Sequence, residues 1–264
     1  MEHRPLSQQI LRAAHGLLMQ GVRGRDKTPG IYRRDQNWIG PKGCPKDEAS
    51  FIPVAPANLQ LCMDRWERYL DNTSVLDVLV QLAILHVEFE AIHPFNDGNG
   101  RLGRMLIPLF LYQRKLLASP DFYMSGYLET NREQYQERLR DVSRTGDWTG
   151  CCAFFLQGIR EQATDNERKA RAILSLYDRI KTQVVDLTRS QHSIRAVDFI
   201  FQTPIFATPM FTLHSDIPKP TANRILTILR DENLLIRIRE GRGQQPGIYA
   251  FRELLNIAEG DDVF

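Results

Sequence analysis

His93-Pro94-Phe95-Asn96-Asp97-Gly98-Asn99-Gly100-Arg101-Leu102-Gly103-Arg104 is the stretch around which the rest of the chain organises. Pro94 disfavours helical backbone at His93, so an apolar helix running up to it ends there. Phe95 reads as the anchor that pins the following loop to the core. Gly98 and Gly100 allow backbone conformations that aim amide N–H groups at one point. A helix starting directly after them adds unpaired N–H groups and a positive dipole end. Arg101 and Arg104 are three apart and share one face of its first turn. The sum is an anion cradle with two guanidinium groups, one carboxylate and one imidazole. Two arginines and several amides suit a polyphosphate. Asp97 suits Mg²⁺, which takes few protein carboxylates and completes its shell with phosphate oxygens. His93 is the group able to remove a proton near neutral pH. This is a layout for phosphoryl or nucleotidyl transfer, and it lacks the GxxxxGK[ST] order of a P-loop. Simpler readings stand beside it. Asp97 also fits a helix cap, and His93 alone would read as a helix-end histidine. Arginines at a helix start oppose the dipole, so an anion accounts for them better than solvent does.

Upstream, Leu6 to Gly21 reads as an amphipathic helix carrying Ile10, Leu11, Ala14, Leu17 and Leu18, broken by Gly21 and Gly24. Ile31 to Ile39 reads as a small hairpin with a polar tip. Pro41, Pro45, Pro53 and Pro56 mark a loop. Helices are predicted over 57–69 and 74–92, the second apolar on more than one face and therefore central. Downstream, helices are predicted over 100–117, with a bend or a lost hydrogen bond at Pro108, then 131–143, 148–159 and a polar connector over 160–189. From His192 onward, three short helices and the alternating strands Leu235–Arg239 and Gly247–Phe251 around a charged turn (Glu240–Gln245) read as a winged helix-turn-helix. Lys219 to Arg252 holds seven basic and three acidic residues, a net of +4. That face suits DNA phosphates and bases or equally a protein-docking or dimerisation surface.

Composition bounds the alternatives. The chain has 264 residues, 42% apolar, with a net charge of +2. That length fits two domains, and the apolar content excludes whole-chain disorder. The most apolar run, Met105–Tyr112, is eight residues, against the roughly 18 of a membrane span. The start of the chain lacks the apolar core of a secretory signal. Cys44, Cys62, Cys151 and Cys152 form no CxxC pair. Reduced thiols and a cytoplasmic location are expected. His86 and His93 are seven apart with no third ligand, so no transition-metal site is predicted.

The motif resembles the signature of Fic domains, H-x-F-x-[DE]-G-N-G-R-x-x-R, and matches all eight of its defined positions. The likeness extends to residues 30–40 (the family's flap), Phe51–Val54, Asn131–Trp148 and the winged helix attached to one bacterial subgroup. It implies a mainly α-helical Fic bundle with a small β-hairpin flap over 1–160, a helical connector over 161–191, and a winged helix over 192–264. It also implies transfer of AMP from ATP to a hydroxyl of a target protein, with release of pyrophosphate. By resemblance, His93 is the general base and Asp97 holds Mg²⁺. Gly98, Asn99 and Gly100 bind the α and β phosphates, and Arg101 and Arg104 the β and γ phosphates. Tyr135 flanks the adenine, a place it shares with a core reading. Ile31, Tyr32, Arg33, Trp38 and Ile39 dock an extended target segment by strand addition, while Trp38 and Ile39 also suit stapling the hairpin. Transfer of phosphate or UMP, and a DNA-binding regulator with a sensory Fic half, are the alternatives. Self-modification and a homodimer are further expectations. Many relatives carry an inhibitory helix, [ST]xxxE[GN], and this chain has no match: Ser7 is followed four later by Leu11, and Glu259 is preceded four earlier by Leu255. In the subgroup that helix lies upstream of the Leu6–Gly21 segment. The chain is therefore expected to be shortened at its amino end, with Arg104 open and the protein active without release.

Overall fold

A computed structural model describes residues 5–20, 28–41, 43–241, 245–260 and 262–263. The chain divides into two compact units, Met1–Ala163 and Thr164–Phe264. In the first, α1 (Gln8–Leu18) opens at Ser7, whose hydroxyl accepts the Ile10 N–H. Gly21 and Gly24, the predicted breakers, lie outside the described residues. α2 (Pro56–Asp71) starts on a proline, at a position that needs no N–H. α3 (Val78–Ile92) starts later than its periodicity predicts, because the Asp77 carboxylate caps the Leu79 and Val80 N–H groups. α4 (Asn99–Gln113) runs through Pro108 despite the bond that proline removes. α5 (Ser125–Thr130) and α6 (Arg132–Thr145) follow. α3 is buried on several faces and packs against both α2 and α4, while α1 packs against α4. Phe89, Phe95, Phe110 and Phe155 fill this core.

α7 (Trp148–Thr188) is a single helix of 41 residues. The sequence reading breaks it near residue 160, yet residues 159–188 contain neither glycine nor proline, so nothing stops it. The division between the two units falls inside this helix. The second unit continues with α8 (Ser193–Gln202), β1 (Ile205–Ala207), α9 (Thr208–His214), α10 (Lys219–Asp231), β2 (Ile236–Arg239), β3 (Ile248–Ala250) and α11 (Arg252–Glu259). The antiparallel sheet has the order β1-β3-β2, with Phe206 and Arg237 both opposite Tyr249. In this second unit α9 packs against β1. Phe199, Phe206, Phe211 and Phe251 form its core with Ile180 and Val184 of α7. β1 and α11 escape the sequence reading; β1, three residues long, carries no readable period. Arg242, at the predicted wing turn, lies outside the described residues. Among the described residues no helix is long and apolar enough to cross a membrane.

The predicted hairpin over 31–39 is not formed. Ile39 instead makes an antiparallel bridge to Phe51, with N–H···O distances of 2.9 and 3.1 Å. The physical reason is Arg33. Its side chain is only 3% exposed. Its guanidinium donates to the carbonyls of His93 (2.9 Å), Ile92 (3.2 Å), Asp35 (3.0 Å) and Val54. Its N–H reaches the Pro94 carbonyl at 2.9 Å. The segment is drawn over the end of α3 and cannot fold back on itself. Arg33 thus leaves the docking set assigned by resemblance and becomes an internal clamp. Arg33→Ala is expected to cost about 3 kcal/mol in denaturant unfolding, since buried carbonyls lose a charged donor. Arg34→Ala, at the exposed neighbour, is expected to stay within about 0.5 kcal/mol. Equal stability of the two variants would contradict the clamp.

Candidate active site

α3 ends as the proline predicts. His93 is its C-cap, in the left-handed region at φ 50°. Its Nδ1 lies 3.3 Å from the Glu90 carbonyl. A carbonyl only accepts, so Nδ1 carries the proton and Nε2 keeps its lone pair. Burial pushes the ring down to about 4, helped by the nearby Arg33 charge and opposed by the Glu90 carbonyl and Asp97. His93 is neutral at pH 7.

The loop that follows closes on itself. The buried Asn99 side chain accepts the Phe95 N–H at 2.9 Å and donates to the Phe95 carbonyl at 2.8 Å. Sequence reasoning gave Asn99 to the phosphates; its side chain is instead a staple, and only its backbone N–H is available there. Gly98 is the N-cap of α4 at φ 80°, a conformation that suits glycine. Its N–H meets the Asp97 carboxylate at 2.6 Å. The first bond of α4 runs from Leu102 N–H to the Gly98 carbonyl. The N–H groups of Asn99, Gly100 and Arg101 precede it and have no intrahelical partner. Asp97, with its side chain 49% exposed, stands 3.8 Å from the Arg101 guanidinium. Arg101 also rests on the Met19 sulfur at 3.4 Å. The Arg104 guanidinium folds back over the first turn, where a Cβ on Gly100 would approach it to 3.4 Å. Among the described residues no carboxylate lies within ion-pair distance of Arg104. The loop and the first turn of α4 bring Asp97, Gly98, Gly100, Arg101 and Arg104 near one another, while the Asn99 side chain turns into the loop.

A cavity of about 690 Å³ opens along the C-terminal half of α3, with neither His93 nor the cradle residues in its wall. Its walls are Ile39 to Pro41 with Phe51, Val87, Glu88, Glu90 and Ala91 of α3, and the Gln136, Leu139 and Ser143 face of α6. Glu90 lines it and places a carboxylate oxygen 4.0 Å from His93 Nδ1. Gly103 leaves room for that carboxylate, which any Cβ there would strike. Burial raises Glu90 to about 7 against the pull of Arg104. It keeps its proton in the lower part of the neutral range. Sequence reading passed over Glu90, although its position three before His93 puts both on one helical face.

Tyr135 does not line the cavity. Its hydroxyl lies 2.8 Å from Nε2 of the buried His86, whose Nδ1 lies 3.2 Å from the Gly103 carbonyl. Of its two readings the core one describes its place, and Gln136 is the neighbour that turns outward. Among the assigned docking residues, Ile31 and Trp38 are 48% and 43% exposed. Tyr32 turns inward, with its hydroxyl on Gln8 at 3.2 Å and its ring edge-on to Phe95. Ile39 holds the bridge and faces the cavity. In the second unit, Arg224 is tied to the Thr188 carbonyl, Arg230 to Asp231 and Arg237 to the Tyr249 hydroxyl. Arg239 donates to the Pro246 carbonyl at 3.4 Å, so four of the seven basic residues counted for DNA have internal partners. Among the described residues, no group of three or more metal-ligating side chains occurs.

Comparison with known proteins agrees with this geometry. Residues 5–111 match the Fic/DOC family. A probable protein adenylyltransferase of Aquifex aeolicus is 35% identical over 113 residues, 40% of this chain and 33% of the relative. The protein adenylyltransferase Fic of Drosophila melanogaster is 37% identical over 84 residues, 31% of this chain and 15% of the relative. This chain thus spans a third or less of these relatives' length. A crystal structure of a Fic family protein from Desulfovibrio desulfuricans superposes with a TM-score of 0.53 at 23% identity. It covers 92% of this chain and 68% of that one, a likeness of fold. The helix-end histidine, the stapled glycine loop and the two arginines on the first turn of the next helix thus all lie within the stretch, residues 5–111, that matches the Fic/DOC family.

Proposed function

We propose that the chain is a protein adenylyltransferase, moving AMP from ATP to a Ser, Thr or Tyr hydroxyl of a target protein or of itself. The observation that carries this reading is an unprotonated His93 Nε2 directly before an anion cradle, with Glu90 linking His93 to a cavity of nucleoside size. Cavities of roughly 300–1,000 Å³ suit small ligands, and about 690 Å³ lies in that range. The triphosphate rests on the Asn99, Gly100 and Arg101 N–H groups with Arg101 and Arg104, and the nucleoside enters beside Gln136 and Leu139. The target oxygen attacks the α-phosphorus in line, its proton passes to His93 Nε2, and the bond to the β-phosphate oxygen breaks. Arg101, Arg104 and the helix N–H groups receive the charge that collects on pyrophosphate.

Mg²⁺ fits this donor set: one half-exposed carboxylate, Asp97, held beside the cradle by Gly98 N–H and Arg101, with phosphates supplying the remaining oxygens. Bound there, it would neutralise phosphate charge. Exposed Ile31 and Trp38 and the bridged Ile39 offer the edge for an extended target segment, while Tyr32 and Arg33 hold that edge in place.

ATP labelled at the α-phosphate is expected to label protein, and ATP labelled at the γ-phosphate is not. His93→Ala and His93→Asn should each lose roughly 10²–10⁴ in rate, with thermal melts showing a folded chain. Asparagine also tolerates the left-handed backbone. Transfer of the γ label, or transfer that survives both variants, would overturn the reading. The profile of kcat/KM should hold its plateau well below pH 6.5, since the free enzyme's His93 protonates near pH 4. Bound phosphate favours the imidazolium, so the acid limb of kcat should sit at higher pH than that of kcat/KM. Coincident limbs at pH 6.5 would count against a buried base. Leu139→Trp, which fills the cavity, is expected to raise KM for ATP about tenfold or more with a smaller change in kcat. An unchanged KM would move the nucleoside elsewhere.

A further inference from the structure

His15 is fully buried on α1, far in sequence from the motif. Both ring nitrogens are engaged, and their partners fix the proton. Gly30 N–H donates to Nδ1 at 2.8 Å. Nδ1 is therefore the acceptor, Nε2 carries the hydrogen, and Nε2 donates to the Asp97 carbonyl at 2.9 Å. The ring lies flat on Phe95, with centroids 3.9 Å apart and planes within 9°. Its Nε2 would be 3.4 Å from a Cβ on Gly98. The Asn99 staple closes the loop from one side, and this imidazole fixes it from the other. At its far nitrogen the ring holds Gly30, directly before the exposed Ile31.

We infer that His15 is a positioning residue for the phosphate cradle: through the Asp97 carbonyl it sets where the Asp97 carboxylate and the Gly98 turn stand, and so sets nucleotide affinity. It touches no reacting atom. The two contacts can be separated by substitution. Glutamine places an amide N–H where Nε2 stands and keeps the bond to Asp97. Asparagine places an acceptor where Nδ1 stands and keeps only the bond to Gly30.

The experiment compares the full chain with His15→Ala, His15→Asn and His15→Gln. Amide exchange without nucleotide is read at Phe95 and Leu102, whose N–H groups are held inside the loop by Asn99 and Gly98. Exchange at these two is expected to speed up about tenfold or more in the Ala and Asn variants while α3 amides stay unchanged. His15→Gln should remain within about threefold of the parent. Steady-state transfer from Mg-ATP should show KM raised about tenfold in Ala and Asn, kcat within about threefold, and recovery in Gln. The KM arm rests on the adenylyl transfer proposed above; the exchange arm does not, so a chain that transfers nothing still decides the question. Equal behaviour of Asn and Gln, or exchange that rises throughout α3 as much as in the loop, would overturn the inference.

Discussion

The site depends on how α3 is stopped. A helix end leaves carbonyls without partners, and here the Ile92 and His93 carbonyls point into protein. Arg33 meets them with one buried guanidinium, which also holds Val54 and Asp35. Burying that charge is costly, and a fan of carbonyl acceptors offsets the cost. In return the left-handed turn at His93 has one geometry. The same clamp orders the segment carrying Ile31 and Trp38, so the base and the neighbouring edge share a support.

Around that turn the charges are arranged for an anion. Two arginines on a helix's first turn oppose its dipole, and Asp97 compensates in part. The buried groups facing them carry little charge near neutral pH. His93 is neutral because burial disfavours its cation, and Glu90 holds its proton up to about 7 for the matching reason. A polyphosphate entering the cradle meets donors and two guanidinium groups without strong repulsion from His93 or Glu90. Glu90, one turn before His93, joins the cavity to the motif.

The motif was legible because its chemistry is local. Proline, two glycines and two arginines at fixed spacing dictate a helix end, a turn and a helix start with no distant partner. Helices α1 to α4 followed from their apolar periods for the same reason. What was not legible depended on distant contacts. Arg33 in a polar stretch reads as solvent-exposed, and nothing nearby says that α3 ends above it. Tyr135 and Gln136 are adjacent, and only the packing of His86 decides which of them turns inward. His15 sits among the apolar positions of α1, where a histidine reads as core. Its partners at Gly30 and Asp97 are 15 and 82 residues away. α7 ran on where a domain boundary invited a break, because no residue there disfavours helix.

The proposed transfer requires one nucleotide to span the cradle and the cavity with its α-phosphorus beside His93 Nε2. A crystal structure of the chain with Mg²⁺ and a non-hydrolysable ATP analogue tests it most directly. Phosphates are expected on the Gly98–Arg101 turn against Arg101 and Arg104, with the base between Ile39 and Leu139. A nucleotide bound with its base outside that cavity, or with its α-phosphate out of reach of His93, would contradict it.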